Sequence, residues 1–220
     1  MTATVAPAFL RSTVGKKVVM AVTGIILFGF TLSHMIGNLQ LYQGPEALNH
    51  YAKLLRAVPS LLWGARIVLI VSVIAHIVVA TQLTLRKREA RPVAYAMHDF
   101  QRGTYASRTM MWSGPILAFF LIYHLLHLTF GTAHPNFEEG NVYANVVSGF
   151  QNVPASVAYI LGMLALGFHL QHGAISLFQT LGLKDTRWNG RLETIVMILT
   201  YAVVVANISF PIAVLVGVVK

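Results

Sequence analysis

The sequence predicts an all-α integral membrane bundle of five transmembrane helices with its N-terminus on the cytoplasmic side. Three observations carry this. Of 220 residues, 56% are hydrophobic and only 10% charged, where a soluble domain is nearer 25% charged. Five apolar runs reach the roughly 20 residues that cross a hydrocarbon core. Twelve of the 16 Lys and Arg lie on one side of those runs, the asymmetry that sets topology.

The spans are expected at about 18–42, 60–85, 109–131, 154–181 and 193–217, in one domain covering residues 1–220. The stretch before Lys16 is short and has no cleavage pattern after an apolar region, so the first run reads as a retained span. Arg11, Lys16 and Lys17 precede it. Arg86, Lys87, Arg88, Arg91, Arg102 and Arg108 lie between the second and third spans, and Lys184, Arg187 and Arg191 between the fourth and fifth. Those segments are assigned to the cytoplasm. Lys53, Arg56, Arg66 and Lys220 are assigned outside, with Glu46, Glu138 and Glu139. Trp63, Trp112 and Trp188 fall near span ends, where interfacial anchors belong.

In the first outer loop, Pro45 at a start, Glu46 in the first turn and helical apolar spacing predict a short surface helix. The net charge of +9 is spread between spans rather than over one polar face, which argues against nucleic-acid binding. The basic segment Arg86–Arg108 reads equally as a solvated topology signal and as a docking surface for an acidic or soluble partner. Gly114-Pro115 predicts a kink in the third span. The absence of cysteine excludes disulfides, thiolate metal sites, covalent c-type haem and Cys-ligated iron–sulfur clusters.

Ionisable groups inside a membrane cost roughly 3 kcal/mol or more at its centre and mark function by default. Histidines stand in four of the five spans: His34, His76, His124 with His127, and His169 with His172. At about 1.5 Å per residue, His34 and His124 lie about 25 and 24 Å from the cytoplasmic edge. His76 lies about 15 Å from it, His169 about 20 Å and His172 about 15 Å. Two levels result, the first and third spans supplying one and the second and fourth the other. A single such histidine would read as a buried hydrogen-bonding group or proton relay. Four spans at two paired depths suit two bis-histidine haem sites better. Zinc would want four ligands at one level. Gly24, Gly29, Gly162, Gly167 and Gly173 suit either a flat macrocycle against the backbone or close helix packing. The fifth span has no histidine and reads as structural.

The pieces SHMIGN around His34, VIAHIVV around His76, FFLIYHLLHLTFG in the third span and FHLQHGAISLFQTLG in the fourth resemble one family. It is the cytochrome b membrane-anchor subunit of succinate:quinone oxidoreductase (succinate dehydrogenase / fumarate reductase), of the single-polypeptide, five-helix, di-haem kind. The resemblance implies two haem b groups. His34 with His124 would hold the distal one, and His76 with His169 the one proximal to the iron–sulfur subunit. Phe168, His169 and Gly173 match the family's Phe-His and later Gly, and Gly114 stands ten residues before His124 as the family has it. Depth alone slightly prefers His172. His127 and His172 remain alternates, or hydrogen-bond partners of a propionate, ligand or quinone.

The resemblance further implies a role in respiratory complex II and the tricarboxylic acid cycle, in a bacterial cytoplasmic (inner) membrane. A flavoprotein subunit oxidises succinate, an iron–sulfur subunit passes the electrons on, and this chain relays them to a quinone, usually menaquinone. The chain itself has no substrate-oxidising site, being without a Gly-rich dinucleotide loop or cysteine. His50, Tyr51, Lys53 and Arg56 are candidates for bonding a quinone, or are solvated faces of the short outer helix. Two other readings share the features: a di-haem anchor of another respiratory oxidoreductase, such as a hydrogenase or formate dehydrogenase, and a haem-free, histidine-lined proton or metal transporter.

Overall fold

In a computed structural model, the described residues are 9, 11–90, 105–183, 185 and 187–220, with side chains from 109 onward in the second stretch. They form seven α-helices: α1 (Thr13–Asn38), α2 (Pro45–Arg56), α3 (Pro59–Glu89), α4 (Tyr105–His124), α5 (Val142–Gln151), α6 (Val153–Thr180) and α7 (Asn189–Leu215). No strand occurs among them. A 3-10 turn, Leu39–Gln43, extends α1, and a π-helical turn, Leu125–Thr129, extends α4. Five of these helices are long and apolar enough to cross a membrane, over 21 to 31 residues each. These are the five expected spans, with ends displaced by a few residues. Arg91 and Arg102 of the expected docking segment, and Lys184, lie outside the described residues.

Local chemistry sets the boundaries. Ser12 caps α1 by accepting from the Gly15 N–H, and Asn152 caps α6 by accepting from Ala155 N–H, each satisfying a donor the helix cannot. Pro45 and Pro59 sit in first turns, where the missing N–H costs nothing. The short outer helix is α2, as expected, with Leu48 buried and Lys53 and Arg56 in its last turn.

The spans are unevenly covered. The bundle places Thr13 at one end and Lys220 at the other, and its buried core lies toward the Lys220 end. There Leu41, Leu48, Val147, Phe150, Tyr159, Phe210, Val214 and Val219 pack together. The lid over this end is α2 and α5. Asn49 joins them, donating to Asn141 Oδ1 and accepting from Tyr143 N–H, and the Tyr143 hydroxyl donates to the Lys220 carbonyl. The helix α5 has no counterpart among the expected elements. Its apolar run is only ten residues, too short for a span, and it begins at an Asn141 cap that accepts from Ala144 N–H. By contrast α3 buries only Ser72 and exposes Ile67, Ile70, Val71, Ile74 and Val78. An apolar surface of that extent belongs against lipid.

Helix α1 packs on α3 and α6, α4 packs on α6, and α6 packs on α7. Neither α1 with α4 nor α3 with α6 is among the closely packed pairs. Those two uncrossed gaps are where the histidines face one another.

Candidate functional site

The structure brings His34 of α1 and His124 of α4 together with ring centroids 6.0 Å apart and planes at 84°. It brings His76 of α3 and His169 of α6 to 6.2 Å and 58°. Each pair spans one of the two gaps between helices that do not pack closely. His169, rather than His172, is the ring set against His76.

The pairs lie at separate levels. The Thr23 hydroxyl of α1 contacts His76 Nδ1 at 3.0 Å, so Thr23 marks the level of the second pair. His34 follows Thr23 by eleven residues in the same helix, about 16 Å at 1.5 Å per residue. Tyr159 of α6 contacts His124, and His169 follows it by ten residues, about 15 Å. Two helices therefore give one spacing.

Helical geometry supports three histidine rings from one turn earlier, because residues i and i+4 share a face. Phe30 stacks on His34 at 5.3 Å, Phe120 on His124 at 6.1 Å and Tyr123 on His127 at 5.3 Å. An aromatic residue four positions before a histidine thus recurs three times, a signal visible in the sequence alone.

Hydrogen bonds fix which nitrogen is free. The Thr23 hydroxyl lies 2.8 Å from the Val19 carbonyl, to which it can only donate. Having one proton, it accepts from His76 Nδ1–H, which leaves the Nε2 lone pair of His76 unprotonated. His169 Nδ1 is buried and has no hydrogen-bond partner. On the other level the Tyr159 hydroxyl contacts Nδ1 of His124 at 3.3 Å and of His127 at 3.2 Å.

His127 is 1% exposed and sits in the π-helical turn, a distortion that often marks a functional position. Gly131 follows with φ +74° and the Phe137 ring over it, so a side chain there would be both strained and blocked. His134 stacks on His127 at 4.9 Å. Its Nδ1 accepts from Asn136 N–H and its Nε2–H donates to the Asn145 carbonyl, at 3.1 and 2.9 Å. Thr23, His134 and Tyr159 are absent from the sequence-based candidates.

The remaining candidates divide. His50 and Lys53 line an open hollow of about 800 Å³ with Gln43, Glu46 and Asn49. Tyr51 turns the other way, its ring against Gly37. Arg56 is exposed at the end of α2. Of the glycines, Gly162 and Gly167 are packing positions, under Phe120 and Val204, whereas Gly29 and Gly173 have nothing within 4 Å of a would-be Cβ. Among the described residues no three His, Asp or Glu side chains gather as a metal-ion site.

Paired imidazoles suit a different group. A metal–imidazole bond is about 2 Å, so two imidazoles on opposite sides of one ion have ring centres roughly 6 Å apart. Both pairs have that separation, one free Nε2 is fixed by Thr23, and an orphaned His169 nitrogen lies in the second gap. Each pair is therefore spaced to hold a metal ion between its two imidazoles. No curated protein and no solved structure matches the chain. Residues 84–208, more than half of the chain and including His124 and His169, match the model of the succinate dehydrogenase/fumarate reductase transmembrane subunit, and the chain belongs to that family.

Proposed function

We propose that this chain, as a single domain, is the di-haem cytochrome b anchor of a succinate dehydrogenase. His34 and His124 hold one haem b, and His76 and His169 the other. The observation that carries this is the two pairs of facing imidazoles, at 6.0 and 6.2 Å, on two levels of one bundle. Held between two imidazoles, such a haem would supply one-electron transfer rather than oxygen chemistry.

The chain's own residues supply the rest of the proposal. Thr23 and Tyr159 orient ligand rings, and the apolar spans keep water from both levels. The basic residues at the Thr13 end, Arg86, Lys87 and Arg88 among them, would face an iron–sulfur subunit and, through it, a flavoprotein subunit. The Lys/Arg asymmetry supports a cytoplasmic position for that end, in a membrane we take to be a bacterial inner membrane. A reporter fused after Lys220 should then lie outside; an internal signal reverses the orientation. Electrons would pass from the His76–His169 level to the His34–His124 level and on to a quinone, menaquinone in this kind of subunit. His50 and Lys53, in their open hollow, would offer it hydrogen bonds. Gentle extraction should bring down a flavoprotein and an iron–sulfur protein, with two b haems per chain by pyridine haemochrome. Succinate should reduce their visible bands. A haem-free chain sinks the proposal, and haem that succinate never reduces assigns the chain to fumarate reduction or another complex.

A further inference from the structure

We propose that Tyr159, itself oriented by His127, is a positioning residue for His124 and fixes which nitrogen of His124 is free to bind metal. The inference rests on the haem assigned above to His34 and His124.

Counting protons gives the reason. The Tyr159 hydroxyl has one proton but contacts two imidazole nitrogens, Nδ1 of His124 and Nδ1 of His127. It donates to one and accepts from the other. If it donated to His124, the neutral ring would carry its proton on Nε2, and that nitrogen could bind no metal. If it donates to His127, His124 keeps Nδ1–H, directs it at the phenol oxygen, and presents a bare Nε2. Metal-bound histidines show this pattern, the second ring nitrogen donating to an acceptor that sets ring orientation and raises ligand basicity. His127 is then the acceptor that turns Tyr159 the right way.

The surroundings hold His127 to that task. It is buried, with Tyr123 stacked on it and His134 stacked at 4.9 Å. A Cβ on Gly149 would stand 2.9 Å from His127 Cε1 and 2.9 Å from His134 Nε2, so α5 closes against both rings. His134 has both ring nitrogens occupied by backbone groups, which fixes it as a neutral wall. Tyr159 is packed by Phe120 and Phe150 at 5.2 and 4.8 Å, with its hydroxyl between the two histidines.

Tyr159→Phe removes the hydroxyl and keeps the ring. In the purified complex both haems should stay bound. The reduction potential of the haem that His124→Ala abolishes should shift upward, because a ligand without its N–H acceptor stabilises oxidised iron less. The other haem should not move. His127→Leu should shift the same haem in the same direction by less, and His127→Asn, whose Oδ1 can accept in place of Nδ1, should restore it. The His127 variants also keep the test open if Tyr159→Phe does not fold. Potentials that stay put, or that shift equally for both haems, overturn the inference while leaving the haem assignment intact. A wild-type chain without haem overturns both.

Discussion

The two histidine pairs have nearly one ring separation, 6.0 and 6.2 Å, yet they are held by different means. The His34–His124 pair abuts the packed Lys220 end of the bundle. One of its rings bonds Tyr159, a core residue 6% exposed, which in turn bonds a fully buried His127. The His76–His169 pair lies about 16 Å away along the helices, between α3, which buries only Ser72, and the part of α6 beyond Ala165, where no residue is buried. One of its rings is tied to Thr23, and the other has an unpartnered Nδ1. Equal spacing therefore arises from helix placement, while ring orientation is set by hydrogen bonds that one level has in depth and the other has once. A protein that holds one site by its own core and, in the proposed function, the other mainly through its haem should respond unequally to the same perturbation.

The strongest way to break the comparison is to remove ligands. In the proposed function, His34→Ala and His124→Ala should each abolish the same haem, and His76→Ala and His169→Ala the other, in visible spectra of the purified protein. His172→Ala should leave both bound. Loss of one and the same haem in His34→Ala and His76→Ala would defeat the two-level assignment. Thermal unfolding sharpens the contrast. The His76 and His169 variants should lose more stability than the His34 variant, since little besides the bound group fills their gap.

A glycine substitution beside each level gives a smaller and purely structural contrast. At Gly149 a methyl group would stand 2.9 Å from two buried, mutually stacked imidazoles, neither of which has room to yield. Replacing Gly by Ala in a helix gains up to about 1 kcal/mol, but overpacking costs about 1–3 kcal/mol, so Gly149→Ala should destabilise. At Gly24 the same methyl would meet Leu177 at 3.7 Å and His76 Cε1 at 3.8 Å, ordinary contacts. Gly24→Ala should therefore be neutral or stabilising in thermal unfolding. Melting temperatures in the reverse order would show that the Lys220 end is looser than its packing implies.

The spans were legible because a membrane demands long apolar runs, and such runs write themselves into composition. The short helix α2 was legible too, from Pro45, Glu46 and its apolar spacing. Its partner α5 was not, because the ten residues Val142–Gln151 carry no span signal, and their burial depends on residues far away in sequence, such as Leu48. On α6, depth counted from the loop slightly favoured His172, whereas His169 is the ring set against His76. The two lie three residues apart, about 4.5 Å in height, which is within the uncertainty of where a span ends. Rotation about the helix axis separates them instead, and rotation is set by packing against α4 and α7. Tyr159 and His134 escaped for the same reason. A tyrosine in an apolar run looks like core, and only the fold places its hydroxyl between two imidazoles.

The smallest loss of stability should come from Thr23. Its hydroxyl donates to the Val19 carbonyl and accepts from His76 Nδ1–H at 3.0 Å, so Thr23→Val keeps the shape of the side chain and deletes both contacts. The back-bond within α1 contributes little, since the carbonyl already takes part in the helix. What is lost is the acceptor for one buried imidazole N–H, worth about 1–3 kcal/mol if nothing replaces it. The His76 ring can recover part of that, because Thr23 Oγ1 also lies near the Met20 carbonyl, at 3.1 Å, and a small rotation would offer Nδ1–H that oxygen. The net cost should thus fall near 1 kcal/mol, below that of Gly149→Ala. In the haem-loaded protein the His76–His169 band alone should change potential, by less than the Tyr159→Phe shift on the other level. A Thr23→Val change that moves the His34–His124 haem instead would mean that Thr23 acts through the whole of α1 rather than through His76.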